Sequence, residues 1–263
     1  MNTRVIDLNA DLGERQEDDE AGLAQDAELM RYVTSANVAC GGHTGNERTM
    51  FATLELAKRL GVAVGAHPSY PDRRDFGRVA MEMAMPDLER SLKEQIESLY
   101  AVAVRLGVRV GHVKPHGALY HSVNRNVEIA RVLGRVIRDI DNSMIVVAQA
   151  GSNTLDVFRE MGLRTATEAF ADRAYEADGS LRDRKLAGAL LDHPEQAARQ
   201  ALSIALSGCV DATDSSTVPV SADTLCIHSD TPQAVAIARE IRRTLAAANI
   251  EVRSFSERGR SLQ

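Results

Sequence analysis

Short apolar runs and helix-period stretches take turns along the chain. The runs are RVIDLNAD (4–11), ANVACGG (36–42), VAVGAHP (62–68), RVGHVKPH (109–116), MIVVAQAG (144–151), RTATEAF (164–170) and TLCIHSD (224–230). IEVRSF (250–255) is a candidate eighth. Their length and flanking turn residues predict strands. Amphipathic segments lie between most of them. ERTMFATLELAKRLG puts Met50, Leu54, Ala57 and Leu60 on one helical face. A second helix is expected to open at Pro86 and stop at Gly107. A third, near the C-terminus, has Thr231 as its N-cap candidate and Pro232 in the first turn, the positions where each residue type fits a helix start. Seven or eight strand–helix units in 263 residues predict a closed (β/α) barrel with parallel strands, in one domain over 1–263. The longest break in the rhythm is 171–193, where an Asp178-Gly179 turn signal predicts a hairpin or lid.

The polar exceptions inside the strands carry the functional signal. Side chains on a strand alternate with period two. Asp7, Asn9 and Asp11 therefore share one face of the first run, and His112, Lys114 and His116 one face of the fourth. Gly65 and His67 are in phase in the third run, Glu168, Phe170 and Asp172 at the sixth, and Cys226, His228 and Asp230 at the last. A parallel strand is normally apolar on both faces. Each exception has an ordinary reading by itself, as a satisfied core histidine, a helix cap or a turn former. Cys40 and Cys226 read as small core residues, and Glu14, Asp18, Asp19 and Glu20 as a solvated acidic loop, with Glu14 near enough to reach the mouth. Five strands ending alike predict one shared pocket at the C-terminal rim, where barrels of this class place their chemistry.

Composition narrows the partners. The net charge is −6 and no long basic run occurs, which disfavours nucleic acid and anionic membranes. Aromatics make up 4% with no Trp, against 44% hydrophobic residues, a balance that suits aliphatic helices packed on a sheet. Three cysteines form no CxxC pair, so a reducing, cytoplasmic setting without a disulfide framework is expected. No signal peptide or membrane span is expected either, since MNTRVIDLNADLGE turns acidic at once.

Lysine beside carboxylates can hold a phosphate or a developing oxyanion, and histidine can move protons near neutral pH. Two or three histidines with an aspartate could also hold a divalent metal that activates water. HExxH, Walker-type, GxGxxG and G-x-S-x-G motifs are absent from the sequence. The residues alone thus predict a hydrolase or lyase acting on a small polar substrate.

Read together, DLNADLGE (7–14), NVACGGHTGN (37–46), GAHPSYPDRRDFGR (65–78), VKPHGALYH (113–121), EAFADRAYEADGSLRDR (168–184) and CIHSDTPQAV (226–235) resemble the LamB/YcsF family. The resemblance covers nearly the whole chain in the same order. It implies a distorted (β/α) barrel related to polysaccharide deacetylases and glycosidases. It also implies the role of the first component of an ATP-dependent 5-oxoprolinase, which opens 5-oxoproline to L-glutamate together with subunits B and C. ATP, with Mg²⁺, would be a co-substrate. By the resemblance, Lys114, Arg173 and Arg184 would meet phosphate or the substrate carboxylate. His67 and His116 would act as acid and base, with Asp11 or Glu168 orienting or sharing that role. Asn9 and His43 would fix the substrate amide, and His228 and Asp230 would complete the substrate site. The chain departs from the family pattern at Gly42 (for an aromatic), Asn46 (for an acid), Asp75 and Ser229 (each for a glycine), and it lacks a proline near Arg184. Two alternatives remain open: a metal-dependent amidohydrolase or carbohydrate deacetylase, and a non-catalytic binding component. Assembly as a homo-oligomer is compatible with all of these.

Overall fold

The computed structural model describes residues 4–15 and 19–257. The first half runs β1 (Arg4–Leu12), α1 (Glu20–Met30), β2 (Ser35–Ala39), α2 (Glu47–Leu60), β3 (Ala63–His67), α3 (Met85–Leu106), β4 (Val110–Val113) and α4 (Gly117–Arg125). Then come α5 (Val127–Asp141), β5 (Ile145–Gln149), α6 (Thr154–Glu160), β6 (Arg164–Phe170) and α7 (Pro194–Ser207). The chain ends with β7 (Cys209–Asp211), β8 (Thr217–Pro219), β9 (Thr224–His228), α8 (Ala234–Ala247) and β10 (Ile250–Val252). Among the described residues, β1, β2, β3, β4, β5, β6 and β9 pair in that order, and β9 returns to β1 to close a seven-stranded parallel barrel. The candidate eighth strand forms as β10, pairing with the start of β1 outside the ring. β7 and β8 make a small antiparallel hairpin that the sequence pattern does not signal.

The barrel forms because one face of each strand is apolar and meets helices. In β1, Ile6, Leu8, Ala10 and Leu12 join the main core with Leu54 and Ala57 of α2 and Ile96 and Leu99 of α3. Asp7, Asn9 and Asp11 point the other way, into the barrel, and are buried. Helix α3 has Pro86 in its first turn and ends on Gly107 at φ 63°, as the sequence predicts. Met50, Leu54 and Ala57 of α2 are buried, whereas Leu60, expected on the same face, is 38% exposed in the last turn. The last helix begins later than expected. Its N-cap is Gln233, not Thr231, because the Thr231 hydroxyl donates to Asp172 instead, at 2.7 Å. No helix among the described residues is long and apolar enough to cross a membrane.

Over the C-terminal rim, the 171–193 segment folds back on itself. Bridges join Arg173 to Leu190 and Tyr175 to Leu181, and the turn runs through Gly179 at φ 82°. The Arg173 guanidinium donates to the carbonyls of Arg182, at 2.6 Å, and Ala189, at 3.4 Å. It therefore pins this segment from below.

Candidate active site at the barrel mouth

The inward faces of five barrel strands build one polar column. At its base, Asp7 accepts from the hydroxyls of Thr34 and Ser35, each at 2.7 Å, and from Thr224. Above it, the Asn9 amide donates to Thr224 Oγ1 at 2.7 Å and Glu168 Oε1 at 3.0 Å. The Asn37 amide donates to Asn9 Oδ1 at 2.7 Å and Asp11 Oδ1 at 2.8 Å. His112 Nε2 lies 2.9 Å from Asn37 Oδ1. An amide oxygen only accepts, so this histidine carries its proton on Nε2. Burial pushes the His112 imidazole down to about 3, and the ring is a neutral spacer.

Lys114 sits where this column meets the mouth. Its ammonium lies 2.9 Å from Asp11 Oδ1, 3.0 Å from Glu168 Oε1 and 3.0 Å from Cys226 Sγ. Burial works against its charge, but the Asp11 carboxylate first, and Glu168 with it, outweigh it and hold the Lys114 pKa well above its usual value. The lysine is therefore a permanent buried cation. Cys226, expected as a plain core residue, is in fact in contact with it. Burial pushes the Cys226 thiol well up, so the sulfur is a neutral, weak acceptor.

The rim above holds a second cluster. His67 Nδ1 lies 2.7 Å from the Lys114 carbonyl, and His116 Nε2 lies 2.9 Å from the Phe76 carbonyl. Carbonyls accept, so both of these nitrogens carry hydrogen and each ring turns its other nitrogen inward. The two inward nitrogens, His67 Nε2 and His116 Nδ1, are 3.0 Å apart. Asp11 Oδ2 is 3.3 Å from the former, and Glu14 Oε1 is 2.9 Å from the latter. His43 Nε2 holds Glu14 Oε1 at 3.0 Å, and the His43 ring stacks on His116 with centroids 3.7 Å apart. Burial pushes His43 down to about 4; it is a neutral donor. Burial raises the Asp11 and Glu14 carboxyls, but the neighbouring histidines, and Lys114 for Asp11, more than reverse this and hold both well below the usual range.

Glu14 is the residue that sequence reasoning undervalued. Asp19 and Glu20 of the expected acidic loop are exposed and begin α1, and Asp18 lies outside the described residues. Glu14 instead turns inward, its side chain only 7% exposed. The signal was available in Gly13, whose φ of 73° swings the chain back over the mouth. The Phe76–Gly77 turn was also missed. Both residues have positive φ, 55° and 64°, and this aims the Phe76 carbonyl at His116. Gly117 packs so closely on that turn that a Cβ would come within 2.5 Å of the Gly77 carbonyl oxygen.

At the outer mouth, Asp172 is fully buried and accepts from His228 N at 2.9 Å, His228 Nδ1 at 3.0 Å and Thr231 Oγ1 at 2.7 Å. Asp230 is exposed and pairs with Arg78 and, at 3.3 Å, with Arg184. Arg184 and Asp230 thus lie together with a guanidinium, Arg78, that the sequence reading did not single out, while the Arg173 fork faces lid carbonyls. Burial raises the Asp172 carboxyl, but His228 and the hydrogen bonds outweigh it and bring it down to about 2. A depressed carboxyl stabilises the fold above its unfolded value, and that contribution disappears as pH falls toward 2. Asp172→Asn is expected to lose about 2.5 kcal/mol at pH 7, from a shift of just under two units at about 1.4 kcal/mol each. Urea denaturation should show the gap to wild type roughly halved at pH 3; an unchanged gap there would sink this account.

The sites of departure from the family pattern have local explanations. At Gly42, a Cβ would lie 2.3 Å from Gln95 Oε1 and Ser69 Oγ, so those two side chains fill the space a larger residue would take. Asn46 caps α2, accepting from Thr49 N at 3.0 Å in a reciprocal box. The Asp75 amide donates to Asp72 Oδ1 at 3.0 Å, and the Ser229 carbonyl accepts from Gln25 at 2.9 Å.

Comparison with known proteins places this geometry. The model of the LamB/YcsF family matches residues 6–260. The chain is 46% identical over 249 residues to the A component of the 5-oxoprolinase of Chloroflexus aggregans, covering 95% of this chain and 98% of that one. It superimposes on the lactam utilization protein of Thermus thermophilus with a TM-score of 0.86 at 40% identity, covering 95% and 99% of the two chains. A family 4 carbohydrate esterase from Streptomyces lividans shares the fold alone, with a TM-score of 0.53 at 9% identity over 97% of this chain and 95% of the esterase.

Proposed function

From the premise that the chain belongs to the LamB/YcsF family, we propose that it is the A component of an ATP-dependent 5-oxoprolinase. In this reading it works with subunits B and C and with Mg-ATP as co-substrate to open 5-oxoproline to L-glutamate. The observation that carries the reading is the near-full-length match to a relative bearing that component's name, and the mouth offers groups suited to the reaction.

An unstrained lactam resists water because its amide is resonance-stabilised. Phosphorylation of the amide oxygen makes that oxygen a leaving group and exposes the ring carbon to attack. Water adds to that carbon, the ring C–N bond breaks with the nitrogen taking up a proton, and an acyl phosphate is left. A second water hydrolyses it to the new carboxylate and inorganic phosphate. Such a path develops negative charge that a buried cation stabilises. Lys114 is that cation. Its ammonium donates to Asp11 at 2.9 Å, Cys226 at 3.0 Å and Asn9 at 3.4 Å, and Glu168 Oε1 is an ion-pair contact at 3.0 Å. A substrate oxygen therefore reaches it most easily by displacing the thiol, the weakest of the three acceptors. Arg78 and Arg184 at the outer mouth supply the positive charge a carboxylate or phosphate needs, already balanced by Asp230. Asn9 orients Glu168 and Asn37 orients Asp11. Their work is to fix the lysine's counter-charges.

The test is glutamate release from 5-oxoproline by this chain mixed with its B and C subunits. Release should require ATP and all three chains. Full turnover by B and C without this chain would overturn the reading. Acetate release from an acetylated oligosaccharide by this chain alone, without ATP, would favour a deacetylase instead.

A further inference from the structure

Two carboxylate oxygens and two imidazole nitrogens face one another at the rim. Asp11, Glu14, His67 and His116 each offer one atom within 4.8 Å of the other three. The contacts are 3.3 Å for His67 Nε2 with Asp11 Oδ2, 3.6 Å for His67 Nε2 with Glu14 Oε1, 2.9 Å for His116 Nδ1 with Glu14 Oε1, and 3.0 Å between the two imidazole nitrogens. The outer nitrogen of each ring donates to a backbone carbonyl, so in the neutral tautomer all four inward atoms offer lone pairs. Protons on both rings would set two N–H donors against each other across 3.0 Å.

We propose that Asp11, Glu14, His67 and His116 form a binding site for a divalent transition-metal ion of the zinc class. A tetrahedral ion with ligand bonds near 2.0–2.1 Å holds its ligand atoms about 3.3 Å apart. The four contacts of 2.9 to 3.6 Å bracket that spacing. Two imidazoles with two carboxylates favour zinc, manganese, iron or cobalt over magnesium or calcium, which prefer all-oxygen shells. Two carboxylates and two neutral rings match the ion's charge.

Every ligand also has the outer partner such sites require. His67 is oriented by the Lys114 carbonyl and His116 by the Phe76 carbonyl. Glu14 is held by His43, and Asp11 by Lys114 and Asn37. Outer hydrogen bonds of this kind fix the tautomer and direction of metal ligands. A second grouping, Asp11 with Cys226 and His228, is weaker because Cys226 Sγ already lies 3.0 Å from the Lys114 ammonium. With an ion in place, His67 and His116 are ligands and not the acid and base that the family resemblance implies. What a divalent cation supplies at such a place is Lewis acidity, which makes water a nucleophile at neutral pH.

The inference stands apart from the lactam reading. Metal uptake without 5-oxoproline turnover would leave it intact, and turnover without any metal uptake by the wild type would remove it while leaving the lactam reading standing. The experiment strips the full chain with a chelator and titrates it with Zn²⁺, Mn²⁺, Co²⁺ and Mg²⁺ by calorimetry, with elemental analysis of the protein before stripping. About one equivalent of a transition ion is expected, with Mg²⁺ far weaker. Glu14→Gln and His116→Asn should each weaken binding at least about 100-fold, beyond the 10–100-fold typical of losing an outer partner. If a variant fails to fold, Co²⁺ in the wild-type protein gives an independent reading through paramagnetic shifts of histidine ring protons on two residues. No transition-ion binding by the wild type, binding unchanged in both folded variants, or cobalt shifts on no histidine would each overturn the site.

Discussion

Lys114→Met is expected to lower kcat for ATP-dependent 5-oxoproline opening by about 10²–10³-fold in the assembled enzyme, the range for losing one preorganised group that stabilises developing charge. It should also weaken the fold. Methionine fills nearly the same volume, so no cavity arises. What remains is Asp11 and Glu168, two buried carboxylates whose shared ammonium is gone. Breaking a buried ion pair by removing one partner costs about 3–5 kcal/mol. The pH dependence separates the two effects. Without the lysine, Asp11 loses one of the charges that hold its carboxyl down, so the penalty is larger at high pH and smaller at low pH, where a buried carboxyl can take up a proton. Adding Glu168→Gln to Lys114→Met should recover much of the stability and none of the activity. Urea denaturation at pH 5 and pH 7.5, paired with turnover measured below each variant's melting range, checks this. A fully active Lys114→Met enzyme would remove the lysine from the chemistry.

The barrel was legible because its two periods are clean. Helices α2 and α3 show a helical stripe with glycine stops at Gly61 and Gly107, both at positive φ. The strands end on polar residues in phase, and period-two alternation put Asp11, His67, Lys114, His116 and Glu168 on inward faces. The structure brings these five to one mouth. The expected strands ran too long at their C-terminal ends. β4 stops at Val113, and Lys114 and His116 already lie in the connection to α4, their amides bonded to the carbonyls of Ala66 and Pro68. The alternation survived for three residues past Val113, so the face was right although the element was not.

What stayed illegible depends on backbone reversals and on donors counted in three dimensions. Glu14 follows Gly13 in a stretch as acidic as any solvent loop, and only the left-handed turn at Gly13 distinguishes it. The Phe76 carbonyl orients His116, but a carbonyl has no letter in the sequence. Thr231 has every mark of a helix cap, yet Asp172, 59 residues earlier in the chain, takes its hydroxyl. Asp172 also accepts from His228 N and Nδ1, and a buried charged acceptor is a stronger partner for the hydroxyl than the backbone at a helix end. Arginines were the least predictable. Arg173 and Arg184 sit 11 positions apart on one loop, but one serves lid carbonyls and the other an exposed aspartate.

Gly65→Ala is expected to destabilise the fold by about 3 kcal/mol, although the change adds one methyl group. A Cβ at this position would lie 2.1 Å from Cδ2 and 2.2 Å from Nε2 of His112. His112 is fully buried and is bonded to Asn37 at 2.9 Å, so its ring has to leave its place or β3 has to move. Overpacking of this kind costs about 1–3 kcal/mol. Losing the bond to the Asn37 oxygen adds about 1–3 kcal/mol for a buried group left unsatisfied. For a chain of this size the sum corresponds to a fall in Tm of roughly 6–12 °C. The damage should spread along the column, because Asn37 also donates to Asp11 and Asn9, and these set the charge around Lys114. Activity should therefore drop as well, in kcat more than in KM. The double variant Gly65→Ala with His112→Ala tests the cause. If the ring is the obstacle, the two changes are strongly non-additive, and the pair is less destabilised than the sum of the singles by 1 kcal/mol or more, roughly the coupling seen for residues in contact. Simple additivity in calorimetric melts would mean that the strain lies in the β3 backbone and not against His112.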